Sequence, residues 1–78
     1  MNSLELREMN ADHVVYAYSP NGEGVPGEVE YLFADGKTSV LRQSSDDFNG
    51  YYAHKACNKV TECVRKNNLP IKFVQAWY

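Results

Sequence analysis

Hydrophobic and polar residues alternate with a period of two in several short segments of this chain, which is the pattern of half-buried β-strands. Residues 3–9 place two leucines between charged neighbours, compatible with a short edge strand or with one helical turn capped by Ser3. Residues 13–19, HVVYAYS, are rich in β-branched and aromatic side chains and predict a strand. Residues 28–34 alternate throughout, and residues 37–43 follow as their partner strand. The pattern therefore predicts four strands before any helix.

Asp35-Gly36 separates the third and fourth of these segments, and this dipeptide is a strong signal for a two-residue hairpin turn. Such a turn would place Tyr31 opposite Val40 and Phe33 opposite Thr38. The predicted apolar face of the hairpin consists of Val29, Tyr31, Phe33, Thr38 and Val40. The second face is mixed, and it consists of Glu30, Leu32, Ser39 and Leu41.

One helix is predicted after the hairpin. Residues 44–47, SSDD, carry the side-chain oxygens and negative charge that favour a helix start, and Gly50 moves the expected beginning to about Asn49. The helix should run to about Asn67, where Asn67-Asn68 can adopt a left-handed stop and Pro70 prevents continuation. At 100° per residue, one stripe is small and apolar: Ala53, Ala56, Cys57, Val60, Cys63 and Val64.

Residues 71–78 alternate again and predict a terminal strand, with Ile71, Phe73 and Trp77 on one face. The order β-β-β-β-α-β predicts an α+β fold of two layers, in which one helix packs on one face of a mainly antiparallel sheet of four to five strands. A chain of 78 residues has room for one hydrophobic core. We therefore expect residues 1–78 to form a single domain.

Composition and charge restrict the function classes. The chain is 44% hydrophobic and 23% charged, which argues against a disordered chain. Its net charge of −2 is divided unevenly, because residues 1–50 carry nine acidic and three basic side chains (−6) and residues 51–78 carry one acidic and five basic (+4). The N-terminal segment lacks the basic and apolar regions of a signal peptide, and two cysteines are too few for a disulfide framework. We therefore expect a cytoplasmic protein with reduced thiols and no membrane contact.

A glycine motif, Gly22-x-Gly24-x-x-Gly27, has the spacing of a nucleotide-binding loop. That function requires a helix to begin directly after the glycines, because the helix N-terminus binds the phosphates. Here a strand is predicted after Gly27, and Glu23, Glu28 and other acidic residues surround the loop. The motif is therefore interpreted as a hairpin connection that turns at Pro26-Gly27, and no cofactor is expected.

The chain offers no convincing catalytic or metal-binding set. Cys57 and Cys63 differ by about 120° around the predicted helix, too far apart to bridge or to bind one ion, and are read as small buried hydrophobes. His54 is expected to point to solvent and away from Cys57, and His13 is the second and last histidine. Too few ligands remain for zinc, and no metal site is expected. We therefore expect a protein that is not an enzyme.

Two binding functions remain. The leading hypothesis is a domain that binds another protein or associates with itself as a homodimer, because six tyrosines, a half-apolar hairpin face and oppositely charged halves favour an interface. The alternative is nucleic-acid binding through the basic outer face of the helix, although the pI of about 5.5 weakens it. The predicted partner-binding residues are Tyr51, Lys55, Lys59, Arg65 and Lys66 on the helix, with Leu32 and Leu41 on the hairpin.

Overall fold

The computed structural model of this chain describes residues 2–76. Within that range it contains five β-strands and one α-helix, in the predicted order β-β-β-β-α-β. Their bounds are β1 (Asn2–Met9), β2 (His13–Ser19), β3 (Gly27–Leu32), β4 (Lys37–Arg42), α1 (Tyr51–Arg65) and β5 (Lys72–Gln75). The alternating pattern also assigned Trp77 and Tyr78 to the last strand, and these two residues lie outside the described range.

The strands form one antiparallel sheet with the spatial order β4-β3-β2-β1-β5. The helix packs on one face of this sheet, which confirms the two-layer α+β fold. The interpretation of residues 3–9 as an edge strand is wrong, because β1 lies between β2 and β5. Leu4 is opposite Tyr18 on one side and Phe73 on the other. β5 takes the edge position because α1 carries the chain from β4, at one edge of the sheet, to the opposite edge.

The β3–β4 hairpin has the predicted faces but a different register. Tyr31 is opposite Thr38, and Val29 is opposite Val40. A two-residue turn at Asp35-Gly36 would pair Tyr31 with Val40 instead, so the observed register is shifted by two residues. Because side chains alternate with a period of two, this shift leaves the paired residues 37–40 on their predicted faces, and a bulge at Leu41 interrupts the alternation beyond them.

The turn of this hairpin is longer than predicted because Phe33 does not continue β3. The backbone N–H of Phe33 donates to the carbonyl of Asp12 at 3.0 Å, so this residue is held by the turn between β1 and β2. The N–H of Gly36 donates to the carbonyl of Leu32 at 2.9 Å and closes the turn. Phe33 is therefore 38% exposed and only borders the apolar face to which it was assigned.

The hydrophobic core lies between α1 and the sheet. The helix contributes the predicted stripe of small residues, of which Cys57 and Val64 are half-buried and the rest are buried. The sheet contributes the larger side chains, and each is at most 8% exposed: Leu4, Val14, Tyr16, Tyr18, Val29 and Tyr31. The hydroxyl of Tyr16 donates to the carbonyl of Pro70 at 2.6 Å, so its polar end is satisfied. Small residues on the helix allow it to approach the bulky aromatic side of the sheet.

The helix ends as its two asparagines predict. Asn67 has a φ of 52°, in the left-handed region. The N–H of Asn68 donates to the carbonyl of Cys63 at 2.9 Å, and the N–H of Asn67 donates to that of Val64 at 3.0 Å. This pair of bonds is a Schellman motif. Arg65 is the last helical residue, and its charge lies near the negative end of the helix dipole.

The helix begins two residues later than predicted, because its capping group comes from farther upstream. Gly50 occupies the N-cap position with a φ of 78° and has no side chain to cap the helix. The carboxylate of Asp47 instead accepts from the N–H groups of Tyr52 at 3.2 Å and Ala53 at 3.0 Å. The hydroxyl of Tyr18 donates to the same carboxylate at 2.9 Å. The predicted role of Asp47 at the helix start is therefore confirmed, and the carboxylate also connects the helix to β2.

Candidate protein-binding surfaces

The glycine-rich loop of residues 20–26 connects β2 to β3, and a strand follows it, as the sequence predicts. Gly22 and Gly24 have φ values of 74° and 59°, a region that other residues rarely adopt. A Cβ added at Gly24 would lie 2.5 Å from Oγ of Ser45. The loop therefore turns at both glycines, and at Gly24 it also packs closely on the loop before α1.

The third glycine of the motif, Gly27, makes room for the ring of Tyr18, which is opposite it in the ladder. A Cβ at Gly27 would overlap that ring and would lie 2.7 Å from the backbone nitrogen of Ser44. The N–H of Ser44 donates to the hydroxyl of Tyr18 at 3.0 Å, and burial raises the pKa of this tyrosine to about 12. Close packing thus explains Gly24 and Gly27, and a positive φ explains Gly22.

The outer face of α1 is less positive than its sequence indicates, because Glu62 pairs with two of its lysines. Nζ of Lys66 is 2.9 Å from Oε1 of Glu62, and Nζ of Lys59 is 3.4 Å from the same oxygen. These hydrogen bonds lower the pKa of Glu62, and the bond from Lys66 raises the pKa of that lysine. Nζ of Lys55 lies 5.4 Å from the ring centroid of Tyr51. The helix carries these five predicted partner-binding residues on its exposed or half-exposed side: Tyr51, Lys55, Lys59, Arg65 and Lys66.

We call the sheet face opposite α1 the open face, and glutamates surround its centre. Each of two small β2 residues on this face lies between one glutamate of β1 and one of β3. These rows are Glu5–Ala17–Glu28 and Glu8–Val15–Glu30. Ala17 is 4% exposed and Val15 is 7% exposed, although no second layer covers them within residues 2–76. The aliphatic stems of their charged neighbours can shield such residues from water.

His13 connects two of these carboxylates at one end of the open face. Its Nδ1 is 2.6 Å from Oε2 of Glu30, and its Nε2 contacts Oε2 of Glu8. Both ring nitrogens can donate at once only when the imidazole is protonated. The hydrogen bonds to Glu8 and Glu30 therefore raise the pKa of His13. Protonated His13 ties β1, β2 and β3 together, a role that sequence reasoning missed because its partners come from two other strands.

The two leucines predicted to bind a partner differ in exposure. Leu32 is half-buried at the end of β3, whereas Leu41 is 51% exposed near the end of β4. Next to Leu41, on the helix side of the same strand, Val40 is 47% exposed. The accessible apolar surface of the hairpin is therefore concentrated on β4.

The sheet has two edges within the described residues, β4 and β5. β4 has six residues, of which five are exposed. β5 has four residues, which alternate between exposed and half-buried, and its Val74 is 58% exposed. The outer side of an edge strand presents unpaired backbone N–H and C=O groups that can bind another strand. β4 offers the longer edge and has exposed apolar residues next to each other.

Phe48 is the most exposed large hydrophobic residue among residues 2–76, at 96%. It directly follows the buried Asp47, whose hydrogen bond from Tyr18 holds this loop against the sheet. Sequence reasoning did not single it out because residues 44–47 were interpreted only as a helix start. The signal that could have identified it is a bulky aromatic within a run of polar residues and glycine.

Cys57 and Cys63 are free thiols, half-buried and buried respectively. Burial raises the pKa of both, so they remain neutral thiols at neutral pH. His54 is exposed and contacts Asn58 rather than Cys57, as predicted for the solvent side of the helix. Among the described residues, no group of three or more His, Cys, Asp or Glu side chains could hold a metal ion.

Across residues 2–76, no helix has both the length and the apolar character that a membrane crossing requires. No family model, curated protein or solved structure matches this chain.

Proposed function

We propose that this chain is a small non-catalytic domain that binds another protein or a second copy of itself, and that the β4 edge is its binding surface. The observation that supports this proposal is the exposure of β4, five of whose six residues are exposed. Val40 and Leu41 add apolar surface to that edge, at 47% and 51% exposure. An extended segment that adds to a sheet edge gains main-chain hydrogen bonds, and side-chain contacts give it specificity.

The charge of the open face favours edge binding over stacking of two sheets. Stacking two copies through this face would bring their rows of glutamates together, and like charges that face each other across an interface are unfavourable. The β4 edge lies beside these rows and avoids that repulsion.

Nucleic-acid binding through α1 remains the alternative hypothesis, and the ion pairs of Glu62 weaken it. Nonspecific binding to nucleic acid depends on summed positive charge, and Glu62 offsets part of the charge of Lys59 and Lys66. Titration with DNA and RNA at two salt concentrations distinguishes the two functions. Binding that weakens with salt and is lost in a Lys55→Glu, Lys59→Glu double variant would favour the alternative.

Leu41→Lys tests the proposed surface, because it places a charge at the centre of the exposed apolar patch. Val74→Lys is the matched control, since it makes the same kind of change on the opposite edge strand. We expect wild-type protein to self-associate in sedimentation velocity, or to retain a protein on an immobilised bait, and we expect Leu41→Lys but not Val74→Lys to lose this. A wild-type chain that stays monomeric up to millimolar concentration and retains nothing on the bait would contradict the proposal.

A further inference from the structure

We infer that the occupant of the β4 edge is β4 of a second copy, antiparallel to the first and related to it by a two-fold axis midway between the two copies of Ser39. This inference rests on the proposed binding role of the β4 edge. Pairing the two edges would join two five-stranded sheets into one continuous sheet with both helices on the same side. The alternation of side chains, a bulge and the distribution of charge each support this particular pairing.

The alternation along β4 restricts the register. Val40 points to the helix side because it is opposite the buried Val29, and Ser39 points to the open face because it is opposite Glu30. Residues directly opposite each other in an antiparallel pair share one face of the sheet. A continuous sheet therefore requires one residue of β4 to lie directly opposite its own copy, with the two-fold axis midway between the two. This requirement excludes the register that would set Lys37 against Arg42 of the second copy.

A bulge near the end of β4 selects Ser39 as the position of the axis. Val40 is opposite Val29, but Arg42 is opposite Glu28, so Leu41 is the extra residue of the bulge. A register centred on Ser39 pairs residues 37–41 and reaches the bulge only at its last position. A register centred on Val40 pairs residues 38–42 and would need regular pairing beyond the bulge.

The selected register gives the exposed residues of β4 suitable neighbours. On the helix side, Val40 lies opposite Thr38 of the second copy. In the same register, Leu41 lies opposite Lys37 of the second copy, whose neighbour on β3 is Leu32. Lys37 is then two strands, about 10 Å at the backbone, from Glu28 of the first copy. The long side chains of Lys37 and Glu28 span that gap and form an ion pair across Leu41.

The helices leave room for this arrangement. α1 packs mainly over β3 and β4. Measured from midway between β3 and β4, the two copies of α1 are two strand spacings apart in the joined sheet, about 10 Å. Packed helices need an axis separation of about 8–10 Å, so the two copies of α1 do not collide.

Cysteine cross-linking tests the position of the axis. In the inferred pairing, the two Ser39 Cα atoms lie about 4.5–5.5 Å apart, within the range that a disulfide bridges. Ser39→Cys should therefore form a covalent dimer under mild oxidation, and peptide mass spectrometry should locate the disulfide at the substituted position in both copies. Ala34→Cys, exposed in the hairpin turn, is the control and should stay largely monomeric. Faster cross-linking of Val40→Cys than of Ser39→Cys would overturn the register.

Charge reversal tests the contact between the copies. Lys37→Glu should weaken the dimer about three- to tenfold in sedimentation equilibrium, because it replaces an exposed attraction by a repulsion. Arg65→Glu makes the same change on the helix and should leave the dimer unchanged. A dimer that is weakened by Arg65→Glu and unaffected by Lys37→Glu would indicate contact through α1 and overturn the inference. A monomer that retains a different protein through a surface sensitive to Leu41→Lys would overturn self-pairing and leave the proposed function intact. Absence of both self-association and binding of a different protein would overturn this inference and the proposed function together.

Discussion

Asp47→Ala should lower the free energy of unfolding by about 2–4 kcal/mol, since it removes a helix cap and leaves a buried hydroxyl without its acceptor. The carboxylate accepts from the hydroxyl of Tyr18 and from the N–H groups of Tyr52 and Ala53, and it is 2% exposed. Loss of the cap costs about 1 kcal/mol. The stranded hydroxyl of Tyr18 adds about 1–3 kcal/mol, because water cannot easily replace the carboxylate there.

A domain of 78 residues has a total stability of roughly 4–12 kcal/mol, so this loss is a large share of it. With a urea m-value of about 1 kcal/mol/M for so small a chain, the unfolding midpoint should fall by about 2–4 M. Urea titration followed by circular dichroism measures this shift. Asp47→Asn should show an intermediate loss, because the two helix N–H groups donate to different carboxylate oxygens and an amide retains only one acceptor.

Asp46→Ala is the matched control, because it removes the adjacent carboxylate, whose Oδ2 is buried without a hydrogen-bond partner among the described residues. It should cost less than about 1 kcal/mol, as no hydrogen bond to that oxygen is lost. Equal midpoints for the two alanine variants would refute the capping role. A double-mutant cycle with Tyr18→Phe should give a coupling of about 0.5–3 kcal/mol, since the two side chains are in direct contact.

Two further changes test other parts of the fold. Gly27→Ala should cost about 1–3 kcal/mol in urea unfolding, because the new Cβ would overlap the ring of Tyr18; Gly22→Ala, which has nothing within 4 Å, should lose only the smaller cost of its positive φ. Protonation of His13 stabilises the folded state, because the pKa of this histidine is raised above its unfolded value of 6.5. The free energy of unfolding should therefore fall as the pH rises above 6.5 and through the raised pKa of folded His13. His13→Gln should flatten this part of the stability profile, and an unchanged slope would exclude the histidine as its origin.

Local patterns were sufficient to predict the elements. The period of two identified the segments of β2, β3 and β4, and the stripe from Ala53 to Val64 identified the buried side of the helix. Asn67-Asn68 predicted the end of the helix because a left-handed stop depends on residues adjacent in the chain. The faces of the hairpin were correct as far as Val40 despite a wrong register, because a shift of two residues does not move a side chain to the other face.

For the predicted partner-binding residues, too, the sequence identified the side of the helix, and tertiary contacts decided charge pairing and exposure. Helical periodicity is local, and the sequence alone assigned Lys59, Lys66 and their neighbours to the outer face of α1. The pairing of Lys59 and Lys66 with Glu62 depends on side-chain geometry, which spacing suggests but does not determine. The contrast between an exposed Leu41 and a half-buried Leu32 depends on which strand lies at the edge.

By itself, then, the sequence determined the type and order of the elements and the side of each that is buried, since these follow from the chemistry of neighbouring residues. Tertiary structure alone decided the order of strands in the sheet, the contact of Phe33 with Asp12 that lengthens the hairpin turn, the link from Tyr18 to Asp47 and the link from His13 to two other strands. Each of these joins residues that are distant in the chain. Their free energy depends on which surfaces meet when the helix crosses the sheet, and no local pattern encodes that choice.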